Sequence, residues 1–185
     1  MFPSPTPSST PSPANAPAAR AHTRPTSTRV RAGDLHAPAD QAAVLKLLNL
    51  YASTLPGRMA PLSAEVNQNL IPALQQQVNC RLFLAEVPQS IVGMALCFVG
   101  FSTFKAKPLL NIHDLAVHPD FQARGIGSQL LESAIAFAKH HNYCAVTLEV
   151  QASNAARRLY ARHGFQVLDG IADEGSTLFG KLELC

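Results

Sequence analysis

The sequence is poor in the features that mark secreted, metal-binding and membrane-spanning proteins. It has no tryptophan, and its four cysteines, Cys80, Cys97, Cys144 and Cys185, form no C-x-x-C pair and no cluster with histidine. This spacing argues against a disulfide framework or a zinc site, and it favours free thiols in a reducing compartment. We therefore expect a cytoplasmic protein without a bound metal. No apolar run approaches the ~20 residues needed to cross a bilayer.

Clustered basic charge is also missing. The formal excess of +3 is carried by Arg20, Arg24 and Arg29, while the remaining residues hold twelve basic and twelve acidic side chains. A nucleic-acid groove needs clustered cations to neutralise phosphates. A nucleic acid is therefore not expected as a partner, and the absence of a spanning apolar run gives the same expectation for a membrane.

The first 29 residues differ in composition from the rest of the chain. They contain seven of the fourteen prolines, and 17 of the 29 are Pro, Ser or Thr. Such a segment buries too little apolar surface to offset the entropy of ordering it. We predict a disordered tail over 1–29 and one domain of ordinary size, with room for a hydrophobic core, over 30–185. A passive tail, an early start codon and an organellar transit peptide remain open for 1–29, although the prolines fit a transit peptide poorly.

Hydrophobic periodicity predicts the element order β-α-α-β-β-β-α-β-α-β-β. Pro72 should kink or split the second helix. Helices flanking one mixed sheet follow from the alternation, which defines an α/β fold. The predicted helices are 39–52, 63–77, 127–140 and 154–163, and the predicted strands are 28–32, 81–87, 91–104, 109–117, 145–150, 165–168 and 178–184.

A predicted strand, a short loop and a helix follow one another between Asn111 and Ser128, and the loop carries the pattern Q-x-x-G-x-G. The first N–H groups of a helix have no intrahelical partner and lie at the positive end of its dipole. Glycine lets the backbone approach a phosphate closely, and Arg124 adds a charge-assisted contact. The segment therefore predicts an anion cradle. It is neither a P-loop, because no Lys-Ser/Thr follows, nor a dinucleotide fingerprint, because Leu130 replaces the third glycine.

Two motifs in sequence carry a family resemblance. The Q-x-x-G-x-G helix start is followed by an alternating strand T-L-E-V and then by N-A-A-R-R-L-Y-A-R-H-G-F. In this order they resemble the GNAT acetyltransferase superfamily over nearly all of residues 28–184. The resemblance implies a mixed, mostly antiparallel sheet of about six to seven strands flanked by about four helices, with a V-shaped opening between two central strands. It also implies an enzyme that moves an acetyl group from acetyl-CoA to a primary amine within a ternary complex, as a monomer or homodimer.

The resemblance also implies roles for individual residues. Tyr160 matches the general acid that protonates the departing thiolate, although an aromatic ring packed beneath Phe165 is the alternative role for this residue. The backbone of Leu115, Ala116 and Val117 would pair with the pantetheine arm. Contacts to the cofactor are also implied for Tyr160 and for Gln122, Ala123, Arg124, Gly125, Ile126, Gly127, Ser128, Asn154 and Arg157.

The chemistry requires a proton acceptor, because an ammonium group has no lone pair to attack a thioester. The family often places a Glu or His four residues before the strand-ending Val, and here that residue is His113. An imidazole side chain ordinarily titrates near pH ~6.5, which suits this role. Asp114 is the rival. It points to the opposite face on a regular strand. Members of the resembled family, however, carry a bulge at this point of the strand, which makes that parity uncertain. Transfer of the proton to water is the third possibility. Asn111 lies on the same face as His113, where it could bind such a water or the acceptor.

The sequence offers two classes of amine that could accept the acetyl group. A small-molecule amine is preferred because no large docking surface is evident, while a protein N-terminus or lysine stays open. The resemblance implies that two segments line the acceptor site, Tyr51–Leu62 and Asp169–Thr177. The alternative function is an acyl-CoA-binding sensor or interaction module that keeps the cradle but has little or no turnover.

Overall fold

The structure is a computed structural model that describes residues 27–54, 59–168 and 175–185. The predicted tail therefore lies outside the described residues up to residue 26. Arg29, which was assigned to that tail, is instead the first residue of the first strand. It pairs with Glu86, as the strand predicted over 28–32 requires.

Seven strands form one mixed sheet with the spatial order β1-β2-β3-β4-β5-β7-β6. Only β4 and β5 are parallel, and every other neighbouring pair is antiparallel. The predicted mostly antiparallel mixed sheet is confirmed. The strands are β1 (Arg29–Ala32), β2 (Cys80–Val87), β3 (Ser90–Ser102), β4 (Lys107–Val117), β5 (Ala145–Gln151), β6 (Gln166–Leu168) and β7 (Thr177–Glu183).

Four α-helices accompany the sheet in the described part of the chain: α1 (Pro38–Thr54), α2 (Ala64–Gln75), α3 (Ile126–His140) and α4 (Arg157–Arg162). Helix α2 begins after Ser63, whose hydroxyl accepts a hydrogen bond from the Val66 N–H. It continues through Pro72, so the predicted split does not occur. Pro72 and Gln68 are both exposed, and the carbonyl that loses its partner is therefore solvated.

The two faces of the sheet are covered by different helices. On one face α3 contributes Leu130, Leu131 and Ala134 to a core that includes Val146 and Leu148 of β5. On the other face, the α1 and α2 residues Val44, Leu47, Ile71 and Leu74 pack against Leu84, Met94 and Leu96. Because side chains alternate along a strand, this division shows which face each site residue occupies.

The central parallel pair opens part of the way along its length. Pairing between β4 and β5 is confined to Leu110–Ile112 opposite Val146–Leu148. Strand β4 nevertheless continues to Val117 and β5 continues to Gln151. The strands therefore separate beyond Ile112, which produces the predicted V-shaped opening.

Candidate active site

A cavity of about 660 Å³ lies where β4 and β5 separate. Its walls are the last turns of α1, the end of β4, the loop before α3, the first turn of α3 and the segment from Gln151 to α4. Sequence-predicted residues make up about half of its lining: Leu115, Ala116, Val117, Gln122, Ala123, Gly125, Ile126, Gly127, Ser128, Asn154 and Tyr160. Four other predicted residues, His113, Asp114, Arg124 and Arg157, lie outside this lining.

The start of α3 presents free backbone amides to the cavity. Gly125 precedes the helix with a φ of 81° and makes no side-chain cap. The first helical hydrogen bond runs from the Gln129 N–H to the Gly125 carbonyl, at 3.1 Å. The amides of Ile126, Gly127 and Ser128 therefore precede the hydrogen-bonded ladder and lie at the positive end of the helix dipole.

The packing of the fold does not require a glycine at position 127. A Cβ added there would lie 3.4 Å from Cδ2 of Leu159, which is an ordinary contact distance. Both residues line the cavity. The missing side chain therefore leaves space in the cavity rather than in the core, as expected where a backbone must approach a bulky anion.

Side chains of the loop before α3 fix its shape. The Gln122 side-chain amide donates to the Val117 carbonyl at 3.0 Å, which ties the loop back to the end of β4. The Arg124 guanidinium lies over the Phe121 ring, 5.2 Å from its centroid. Arg124 is thus held beside the cradle at the protein surface, outside the cavity lining.

The segment between β5 and α4 is also held by side-chain contacts. Asn154 Oδ1 accepts a hydrogen bond from the Ala156 N–H at 2.8 Å. The Arg157 guanidinium donates to the Ala152 carbonyl at 3.1 Å. These turns replace the first residues of the predicted 154–163 helix, which is why α4 begins only at Arg157.

Tyr160 faces the cavity from α4 and is 7% exposed. Its ring also packs against Phe165, with 5.9 Å between the ring centroids. The two roles considered for Tyr160 are therefore structurally compatible. Burial raises the pKa of Tyr160 to about 12, and the charge of nearby Tyr51 contributes to the increase. The phenol stays protonated at neutral pH and is able to donate a proton.

A β-bulge in β4 centres on His113. Leu96 of β3 pairs with Asp114 and Cys97 pairs with Ile112, so His113 is the extra residue between them. Phe98 pairs with Asn111 and, like Leu96, packs on the α1 and α2 side of the sheet.

The bulge removes the strict alternation of faces along β4. The His113 ring packs edge-on against Phe98, at 5.5 Å between centroids. Asn111, His113 and Asp114 consequently share one face of the sheet, so the opposite orientation expected for Asp114 on a regular strand does not apply.

Asp114 interacts electrostatically with His113 and with Tyr51. Burial raises the pKa of Asp114 above its ordinary value, and the positive charge of His113 partly lowers it. Burial also raises the pKa of Tyr51, and the negative charge of Asp114 adds to that effect. Tyr51 lines the cavity from α1. A carboxyl, an imidazole and a phenol therefore lie close together beside the opening.

Sequence reasoning assigned no role to Glu149. The side-chain amide of Asn111 donates to the Glu149 carboxylate at 3.1 Å and approaches the Thr147 hydroxyl at 3.2 Å. Glu149 therefore lies on the same face as His113 and Asp114, at the point where the strands part. The alternation in T-L-E-V, which turns Thr147 and Glu149 to one side, was the available signal.

Within the described ranges, no group of three or more His, Cys, Asp or Glu side chains is placed to hold a metal ion. The described part of the chain also contains no helix that is both long and apolar enough to cross a membrane.

Two features thus define the site: a parallel pair of strands that opens, and beside it a helix start that follows a glycine and has no side-chain cap. Residues 45–165 match the acetyltransferase (GNAT) family, and the chain belongs to that family.

Individual relatives match shorter segments. The chain is similar to an uncharacterised N-acetyltransferase of Archaeoglobus fulgidus, with 38% identity over 82 residues that cover 43% of this chain and 56% of the relative. It is 46% identical over 56 residues to a [ribosomal protein bS18]-alanine N-acetyltransferase of Salmonella typhimurium, covering 30% of this chain and 38% of that protein. The matches thus span about half, or less, of these curated relatives.

Among solved structures, the fold is similar to a chain of the NatC complex bound to Gag peptide and CoA. The TM-score is 0.66 with 20% sequence identity, and the match covers 85% of this chain and 99% of the other.

Proposed function

We propose that this protein is an N-acetyltransferase that transfers an acetyl group from acetyl-CoA directly to a primary amine of a small molecule. The observation that carries the proposal is one cavity that joins the free amides of Ile126, Gly127 and Ser128 to the buried Tyr160 phenol. Membership of the GNAT family supports it. The similar NatC structure is described as bound to CoA.

The chain's own residues fit such a donor at three points. The amides that open α3 suit a pyrophosphate, because they combine unpaired N–H groups with a positive dipole. Leu115, Ala116 and Val117 have no strand partner on the β5 side, so their backbone suits an extended pantetheine arm that adds like a strand. Asn154 lines the same cavity as these two regions and Tyr160. When bound, acetyl-CoA supplies the activated thioester.

Tyr160 is the proposed proton donor. Its hydroxyl remains protonated at neutral pH, because its pKa is raised to about 12. A phenol in the cavity is placed to protonate the thiolate that leaves when the amine takes the acetyl group.

His113 is the proposed proton acceptor, acting directly or through water. The bulge places its exposed imidazole on the face shared by Asp114 and Glu149. Asp114 is the second candidate, since burial raises its pKa towards the range that suits a base. Removing a proton from the ammonium form of the acceptor provides the lone pair that attacks the thioester.

A protein N-terminus is the second candidate acceptor. It is favoured by the 46% identity to an enzyme that is named for acetylating the alanine of a ribosomal protein. The segments expected to wall the acceptor site lie partly outside the described residues, at 55–58 and 169–174.

The proposal is tested by following thiol release from acetyl-CoA over a panel of small primary amines, lysine amides and peptides with N-terminal alanine. We expect turnover with small amines. Turnover with the peptides alone would show that the acceptor is a protein N-terminus rather than a small molecule. Tight binding of acetyl-CoA without turnover of any amine would favour the sensor function and contradict the proposed enzyme.

A further inference from the structure

The β3–β4 hairpin extends beyond the strands on either side of it. Next to β3, the last contact is the hydrogen bond from the Val99 N–H to the Asn79 carbonyl. Next to β4, the Cys144 N–H donates to the Pro108 carbonyl. We call residues 100–107 the hairpin tip. Its last residue, Lys107, also contacts the thiols of Cys144 and Cys185. The candidate active site is at the other end of β4, near Val117.

Large apolar side chains are exposed on this tip. Phe104, in the turn, is fully exposed and Phe101 is 62% exposed. Val78 is 92% exposed in the turn before β2 and precedes Asn79, which pairs with Val99 beside the tip. Three large apolar side chains are therefore exposed at one end of the sheet, where a contact with an apolar partner would bury them.

The charge at this end is basic. Lys105 and Lys107 belong to the tip, and no acidic residue occurs between Glu86 and Asp114 in the sequence. Arg81 lies beside the tip, because its guanidinium donates to the Val78 carbonyl. The nearby acid is Glu183, which forms an ion pair with Lys181 at 2.5 Å. The hydrogen bond from Lys181 lowers the pKa of Glu183, and the charge of Lys105 in the tip adds a smaller effect.

We propose that the hairpin tip binds an anionic phospholipid surface, with Phe101 and Phe104 inserted among the acyl chains. Lys105 and Lys107 would then lie at the level of the negative headgroups, with their aliphatic stems along the apolar boundary. A second copy of the chain fits less well, because the same basic charges would face each other. The expectation that no membrane is involved was based on the absence of a spanning segment, which does not bear on surface contact.

This arrangement leaves the cavity accessible. The strand β4 runs from the tip to the candidate active site over eleven residues, which is roughly 35 Å of extended chain. The cradle would therefore face the aqueous phase while the tip contacts the lipid.

The experiment is co-sedimentation of the full chain with phosphatidylcholine vesicles that contain either no anionic lipid or about 30% phosphatidylserine. We expect binding to the anionic vesicles only. The double variant Phe101→Ser/Phe104→Ser should lose this binding. Lys105→Gln and Lys107→Gln should each weaken it about fivefold, as ~1 kcal/mol per lysine predicts. The matched control is Val66→Ser on α2, an exposed valine away from the tip, and it should bind like the unmodified chain.

Acetyl-CoA affinity, measured in parallel, should be the same in all these variants, which shows that they remain folded. No binding to anionic vesicles, or unchanged binding of the Phe101→Ser/Phe104→Ser variant, would overturn the proposal. A lipid-free dimer in sedimentation velocity that this variant dissociates would assign the tip to a second copy and would also overturn it.

Discussion

The side-chain amide of Asn111 donates to the carboxylate of Glu149, at 3.1 Å, at the end of the paired segment of β4 and β5. The same amide approaches the hydroxyl of the buried Thr147. These contacts lie immediately before the point where the strands separate. We infer that they help to hold the two strands together at the edge of the opening.

Replacing Asn111 by alanine removes both contacts and leaves the Thr147 hydroxyl without this partner. Side-chain hydrogen bonds of this kind each contribute roughly 0.5–1.5 kcal/mol. We expect Asn111→Ala to lower the free energy of unfolding by about 1–2 kcal/mol in urea denaturation. Unchanged stability would show that the pair does not hold the strands.

The Tyr160→Phe variant removes the proposed proton donor but keeps the ring that packs against Phe165. We expect kcat to fall by about 100-fold with little change in acetyl-CoA affinity. The matched control is Tyr143→Phe, because Tyr143 packs against Phe137 away from the cavity. A near-normal kcat for Tyr160→Phe would exclude Tyr160 as the acid.

The His113→Gln variant tests the proposed proton acceptor. A base must be deprotonated to act, so kcat/KM should fall as the pH drops through the pKa of the base. We expect the unmodified chain to show this acidic limb, and we expect His113→Gln to abolish it. If the limb persists in His113→Gln but is lost in Asp114→Asn, the role belongs to Asp114. Loss in Glu149→Gln alone would assign it to Glu149.

Stability at low pH should depend on Asp40, which is 2% exposed. Its carboxylate accepts hydrogen bonds from the Arg31 guanidinium at 2.6 and 2.8 Å and from the Asp34 N–H at 2.8 Å. The pairing with Arg31 lowers the pKa of Asp40 below its ordinary value of 3.8. The resulting stabilisation is present above pH 3.8 and is lost as the pH falls through the lowered pKa.

We therefore expect Asp40→Asn to lower the free energy of unfolding at pH ~7 by about 2 kcal/mol, since one partner of a largely buried pair is removed. The difference from the unmodified chain should shrink below pH ~4. The control is Glu86→Gln, which removes a more exposed partner of Arg31 and should cost under ~1 kcal/mol. A difference that is constant with pH would contradict the ionic account.

The fold was largely predictable because apolar residues recur along its helices and strands with the regular spacing of each element. The stripe of Leu130, Leu131 and Ala134 and the alternation of Val146 with Thr147 fix α3 and β5 without tertiary information. The helix start at Gly125 was predictable for the same reason, since glycines before an amphipathic helix form a local pattern. The bulge at His113 was expected only from the family, because an extra residue leaves no trace in an apolar strand. The contribution of Tyr51 depends on how α1 packs against the end of β4, which no local pattern encodes.

The most direct test of the cradle is isothermal titration calorimetry of acetyl-CoA with the unmodified chain and with Gly127→Val. The wider side chain would occupy the cavity beside Leu159 at the point where the pyrophosphate should approach the α3 amides. We predict measurable binding by the unmodified chain and at least about tenfold weaker binding by Gly127→Val, with a smaller loss of folding stability. Absence of binding by the unmodified chain, or equal affinity in the two proteins, would contradict the proposed cradle.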